Sequence, residues 1–478
     1  MKTLRLFSTF MLGFLVATSF AESSVPTTTL IVKPITITVH GKSAPSYLIT
    51  QPDGTWGYVG TIGEMFNTRV INETKEPISM HWHGLILPND QDGVPGITQA
   101  KPIQPGAYQD FHFKLVQSGT YWMHTHFGLA LQQQLAAPFI IYDPQDPYKQ
   151  AQNVVMFLSD FSFKSPELIN QQLHHSDDMS GMKMSGMKMD MSQGPDLNDV
   201  KYNAFLTNYK TLQNPQITAV KPGSTVRLRI IDGAAASNFF INLGQLTGAV
   251  IATDGQPIKP VKGSLFSISE GQRLDIIVTI PKSDGQSYPI LAQAEGTNQQ
   301  TGLILTTPGA PVAKMSEIVT ETAGAIDPLQ DLRFHALNSL PTKPVTQKLI
   351  VTLQGNMSQY IWMINHQQWP HVTPLKVKKG DRVEITIINA TAMAHPMHLH
   401  GHVFQVINVN GKVIADGPLR DTVFVPANGR VSIIFDADNT GIWMFHCHIL
   451  YHSENGMMTV LQYEGTATPK LLQYHVRK

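Results

Sequence analysis

The sequence predicts an all-β protein built from three Greek-key β-sandwich domains, and three observations carry that reading. The composition is rich in turn residues and sparing in charge. Of 478 residues, 36 are Gly and 31 are Pro; hydrophobic residues make up 42% and charged ones only 15%, which argues against a disordered or coiled-coil chain. The length suits about three domains of ~150 residues each. A weak internal repeat recurs at a similar spacing. Each copy is a turn glycine, an alternating β-branched run and a second strand: Gly63 through Arg69-Val70-Ile71-Asn72 to His81-Trp82-His83-Gly84, Gly223 through Val226–Ile231 to Ile241-Asn242-Leu243-Gly244, and Gly380 through Val383–Asn389 to His398-Leu399-His400-Gly401. Alternation of this kind reads as antiparallel sheet and not as helix.

Taken in chain order, residues 1–21 read as a secretory signal peptide. Lys2 and Arg5 precede an apolar run from Leu6 to Val16, and Ser19-Phe20-Ala21 places small residues at the cleavage positions, with no twin arginine. The run is too short to span a membrane comfortably, so export by the general secretory route is expected, with no membrane span in the mature chain. The single cysteine, Cys447, rules out an internal disulfide and fits a bacterial periplasm better than an animal extracellular space; secretion is the other destination. The first domain is placed at 22–147, the second at 148–320 and the third at 321–478. Two low-complexity stretches interrupt them, a His- and Met-rich loop at 174–194 and a Pro/Ala/Thr-rich linker at 308–347. Lys+Arg and Asp+Glu are both 35, so the chain has no electrostatic footprint for nucleic acid. A monomer is expected, the oligomeric state itself being left open.

Ten histidines fall in four tight clusters: His81 and His83; His124 and His126; His395, His398 and His400; His446, His448 and His452. Side chains at i and i+2 of a strand share a face, so each His-x-His presents two imidazoles side by side. One such pair is commonly two surface histidines, but four in matching positions of related domains are not a coincidence. The second domain is an internal control. It has Asn238, Ile241 and Leu243 where the third has His395, His398 and His400, so the scaffold itself does not demand histidine. Between His446 and His448, Cys447 faces the opposite side of its strand. A thiolate with two imidazoles, which His395 and His452 can supply, and a distant thioether such as Met457 is the ligand set of a blue-copper electron-transfer site.

With these motifs the chain resembles the multicopper oxidases, the family of laccases, ferroxidases and bacterial cuprous oxidases, over essentially its whole mature length. The resemblance implies cupredoxin-like domains and four copper ions, one type 1, one type 2 and a type 3 pair. It assigns His395, Cys447, His452 and Met457 to type 1, His81 and His398 to type 2, and His83, His124, His126, His400, His446 and His448 to type 3. It also implies coupling of four one-electron oxidations of a small reductant to reduction of O2 to water. Asp92, in Asp92-Gly93-Val94-Pro95-Gly96, matches a family acid near the type 2 copper and is the candidate proton donor, with an ordinary turn aspartate as the competing reading. The family often has a second acid directly after the last type 1 histidine, where this chain has Ser453 followed by Glu454.

The reductant is read from the loop. Met179, Met182, Met184, Met187, Met189 and Met191 are separated by Gly, Ser, Lys and Asp and leave no apolar face to pack. Thioethers select Cu(I), His174 and His175 add imidazole, and Met393 stands two residues before His395. Thr391, however, occupies a position where cuprous oxidases often carry an acid. The expected activity is oxidation of Cu(I), and of Fe(II), in metal tolerance. A laccase-like phenol oxidase is the alternative, and a copper-storage or copper-handling protein is the alternative outside enzymology. Storage needs no trinuclear site, and a copper nitrite reductase would not need eight trinuclear imidazoles in one chain.

Overall fold

A computed structural model describes residues 26–99, 101–174, 197–312 and 314–473. The signal-peptide expectation, His175 and all six methionines of the loop lie outside the described residues. Among those described, no helix is long and apolar enough to cross a membrane.

Six sheets pair into three cupredoxin-like sandwiches, with strands running between Thr28 and Tyr142, Gln152 and Thr306, and Gln347 and Tyr463. The repeat glimpsed in sequence is a repeat of strands. Its β-branched runs form Met65–Asn72, Thr225–Asp232 and Arg382–Asn389, and its second strands are His81–His83, Phe239–Asn242 and His395–Leu399. The antiparallel expectation needs one correction, because all six sheets are mixed. The opening strand of each sandwich lies parallel to its β-branched run: Thr28–Val39 beside Met65–Asn72, Gln152–Phe161 beside Thr225–Asp232, and Gln347–Asn356 beside Arg382–Asn389. A Greek-key crossover carries the chain out of the sheet and back before that pairing forms, so local alternation does not reveal it.

Burial follows the pleat. Trp82 is fully buried in the first sandwich, edge-on to Phe66 at 4.7 Å and Phe111 at 4.9 Å, while its neighbours His81 and His83 face away. In the middle sandwich Ile241 and Leu243 fill the corresponding positions as core residues. The linker 308–347 is largely irregular, with one short helical turn, Pro328–Arg333, capped by the Asp327 side chain.

Candidate metal centre

Strand register pairs the four histidine clusters two by two. His81 lies opposite His124, and His398 opposite His446. Met397 faces Cys447 one step along. Alternation then divides the chemistry between the two faces of one sheet: His395 and Cys447 on one, His398, His400 and His446 on the other. Two glycines allow the close approach. Gly93, at φ 79°, would put a Cβ 1.8 Å from the Met80 carbonyl oxygen, so any side chain there would push Asp92 off the His81 strand. Gly271, at φ 83°, lies against His448 and His83, its hypothetical Cβ 2.9 and 3.1 Å from their rings.

On the first face, Cys447 Sγ lies 3.7 Å from Nδ1 of both His395 and His452, and those two nitrogens lie 3.1 Å apart. Both rings carry their proton on the other nitrogen. His452 Nε2 donates to Asp199 Oδ2 at 2.7 Å. His395 Nε2 donates at 2.7 Å to Thr391 Oγ1, whose own proton goes to Asn389 Oδ1. Two lone pairs therefore face each other beside a buried sulfur, an arrangement that repels unless a cation sits between them. Burial pushes the Cys447 thiol well above its usual range, so a thiolate there needs a metal charge to offset it. Met457 is fully buried next to this group, and its carbonyl oxygen accepts from Cys447 N–H.

The second face repeats the logic. His81 Nδ1 donates to the Asp92 carbonyl, His124 Nδ1 to Thr125, His398 Nδ1 to Asp421, and His446 Nδ1 to Cys447, at 2.8–2.9 Å. His400 Nδ1 donates to Asp92 Oδ2 at 3.0 Å. His83 is the odd one: its Nε2 is held by Asp421 Oδ1 at 3.1 Å, which leaves Nδ1 free. The remaining nitrogens of His81, His83, His124 and His398, and both of His448, are buried without a partner. His400 Nε2 and His446 Nε2 face each other as lone pairs at 3.1 Å, with His126 Nε2 3.3 Å from the latter. Each unsatisfied buried nitrogen would cost ~1–3 kcal/mol, and burial with mutual repulsion drives His83, His124, His126, His398, His400 and His448 well below the usual imidazole range. The rings are neutral, and protons cannot satisfy them. A cluster of neutral, inward-facing imidazoles together with a thiolate site fits copper.

The structure thus brings together the ten histidines, Cys447, Met457 and Asp92 singled out from sequence, the six loop methionines lying outside the described residues. His81, His83, His124, His126, His398, His400 and His446 fall in overlapping groups of three whose ligand atoms lie within 4.8 Å of one another. His448 stands slightly outside those groups, its ring centre 5.0 Å from that of His83 and 5.3 Å from that of His124. Asp92, buried at 1% exposure, bridges His81 and His400, which is more than a turn residue requires.

Other participants were not picked out from sequence. Asp199, held by the Tyr360 hydroxyl as well as His452, joins Asn238, Glu270, Glu295, Met393 and Ile449 around a cavity of ≈ 280 Å³ beside the thiolate site. Its buried polar atoms without a partner are Asp199 Oδ1, Asn238 Oδ1 and both Glu270 oxygens. Burial and the nearby Glu295 carboxylate push Glu270 well above the usual carboxylate range. On the opposite flank, Ser453 and Glu454 line a smaller cavity of ≈ 70 Å³ together with His126, His446 and His448, and burial raises the Glu454 pKa. Two signals were present in sequence, Met393 two residues before His395 and the acidic residue after Ser453; nothing adjacent to Asp199, Glu270 or Glu295 marked them.

Comparison with known proteins agrees with this chemistry. Residues 59–146, 152–310 and 341–466 each match a family description that reads multicopper oxidase. The chain is 32% identical to multicopper oxidase MmcO of Mycobacterium tuberculosis, over 90% of this chain and 84% of that protein. It is 25% identical to copper resistance protein A of Escherichia coli, over 84% and 86%. The crystal structure of a laccase from Botrytis aclada superposes with a TM-score of 0.72 at 25% identity, covering 91% of this chain and 86% of the laccase.

Proposed function

The chain belongs to the multicopper oxidases, and from that premise we propose that it oxidises a metal ion, Cu(I) first and Fe(II) second, at the expense of O2. His395, Cys447, His452 and Met457 would hold a type 1 copper, His81 and His398 a type 2 copper, and His83, His124, His126, His400, His446 and His448 a type 3 pair. When bound, these coppers supply the one-electron acceptor at Cys447 and the four-electron reduction of O2 to water at the histidine cluster.

The rest is the work of the chain's own groups. His446 and His448 flank Cys447, so a few covalent bonds link the two faces. Asp199 fixes the His452 tautomer through one oxygen and lines the cavity, setting an anionic group where substrate electrons enter. Asp92 holds a carboxyl against His81 and His400, and Glu454 borders the second opening to the cluster; both are placed to hold protons for oxygen reduction. Export by the secretory route and a role in metal tolerance belong to the same proposal.

The observation that carries the substrate reading is the large cavity. The carboxyl groups of Asp199, Glu270 and Glu295 and the Met393 side chain line it, oxygen and sulfur groups that can hold a metal cation while it gives up an electron. Steady-state kinetics with Cu(I), Fe(II) and a phenol, on wild type and Asp199→Asn, tests it. Asn keeps an acceptor for His452 and removes the charge, so KM for the metal ions should rise by roughly tenfold, about 1.4 kcal/mol, with phenol oxidation much less changed. Higher kcat/KM for the phenol, together with metal kinetics indifferent to Asp199→Asn, would hand the assignment to the laccase-like alternative.

A further inference from the structure

We propose that Arg273, contributed by the middle sandwich, is a positioning residue that sets the tautomer and orientation of His83 through Asp421. The proposal rests on His83 being a copper ligand and asks what makes it one. His83 differs from the five neighbours whose Nδ1 donates a hydrogen bond, because its bonded nitrogen is Nε2 and its spare one is Nδ1. An imidazole in solution favours neither arrangement strongly, so the choice is made by what accepts the Nε2 proton. The acceptors are Asp421 Oδ1 and Thr422 Oγ1, each at 3.1 Å and fully buried, and the Thr422 hydroxyl itself donates to Asp421 Oδ1 at 2.9 Å, so the carboxylate orders both. The backbone carbonyl of Asp421 holds His398 Nδ1 at 2.9 Å, so one residue orients a ring on each side.

Asp421 is in turn held by a guanidinium. Arg273 Nη1 and Nη2 form a two-point pair with its two oxygens, Nη1 also donates to Gly271 O at 2.9 Å, and Nε donates to Thr120 O at 3.0 Å. Arg273 has no exposed surface. Its one side chain joins the first sandwich through Thr120 and the third through Asp421, directly behind the histidine cluster. The planar fork fixes the carboxylate plane as well as its charge, which an ammonium cannot do. Without the guanidinium, Asp421 would be a buried carboxylate lacking its compensating charge and would turn away from His83.

A purely structural ion pair between sandwiches is the competing account, and the chain supplies its control. Arg227 is also buried and pairs with Asp146 and Asp275 but touches no histidine. Copper-loaded wild type, Arg273→Lys, Arg273→Gln, Asp421→Asn and Arg227→Gln would be compared by chelator titration of bound copper, by the blue band and by the electron paramagnetic resonance of the non-blue copper. Arg273→Gln should hold the histidine-cluster coppers about 10- to 100-fold more weakly and alter the non-blue spectrum while keeping the blue band. Arg273→Lys should recover only part of this. Asp421→Asn, nearly unchanged in volume, should give the same spectral change should Arg273→Gln fail to fold, whereas Arg227→Gln should lose stability with copper and spectra intact. Wild-type affinity and spectra in Arg273→Gln, or an equal copper loss in Arg227→Gln, would overturn the proposal. A wild type that binds only the blue copper would instead overturn the copper-cluster reading on which it rests.

Discussion

At the scale of single residues, the site works by giving most of its rings, though not His126 or His448, one proton-bearing nitrogen with a fixed acceptor and one lone pair with no donor. Asp92 is the residue where this positioning meets the proposed proton chemistry, since its carboxylate touches His81 and His400 and is buried from solvent. Asp92→Asn is nearly isosteric and still offers an oxygen to His400, so fold, copper content and blue colour should persist. Asn cannot deliver a proton, so re-oxidation of the reduced protein by O2 should slow by roughly 10²- to 10⁴-fold, while reduction by substrate is unaffected. Stopped-flow measurement of the two half-reactions separates these steps. Unchanged turnover between about pH 5 and 8 would leave Asp92 a structural acceptor and move the proton route to Glu454.

At the scale of elements, strand alternation explains why the proposed ligands were legible in the sequence. His-x-His on a strand forces two imidazoles to one face, and inserting Cys447 between two histidines forces the sulfur to the other; the register His398 to His446 and Met397 to Cys447 bears that geometry out. The cavity carboxylates were not legible because Asp199, Glu270 and Glu295 sit on separate turns that meet only in the folded chain, and a lone acid in a loop carries no pattern. Glu454 was half-legible, visible as an acid displaced by one position from where the family resemblance expected it. The Met-rich loop leads out of the helix Pro166–His174, whose last residue packs edge-on to Tyr360 at 5.9 Å, and Tyr360 holds Asp199. His174, the last described residue before the Met-rich stretch, is thus linked through Tyr360 to Asp199 of the cavity lining. Deleting Asp177 to Gln193 should raise KM for Cu(I) with the maximum rate less affected, because thioethers raise the local supply of Cu(I) and take no part in the chemistry. Phenol oxidation should stay equal or rise. Equal Cu(I) kinetics in intact and deleted protein would remove the loop from the account.

At the scale of the whole molecule, the repeat legible in sequence became three sandwiches, with the crossovers that make their sheets mixed hidden from any local pattern. The first and third sandwiches divide the histidines, and the middle one, though it supplies none, reaches both through Arg273 and contributes Asn238, Glu270 and Glu295 to the cavity beside Cys447. Its core residues Ile241 and Leu243 show what those positions become when no metal is required. In the proposed account, electrons are taken singly at Cys447 and spent four at a time at the histidines. Oxygen uptake by the copper-loaded protein during oxidation of a counted amount of Cu(I) measures this directly. Four Cu(I) consumed per O2, with no hydrogen peroxide accumulating, is the predicted result; two Cu(I) per O2 with peroxide released would contradict it.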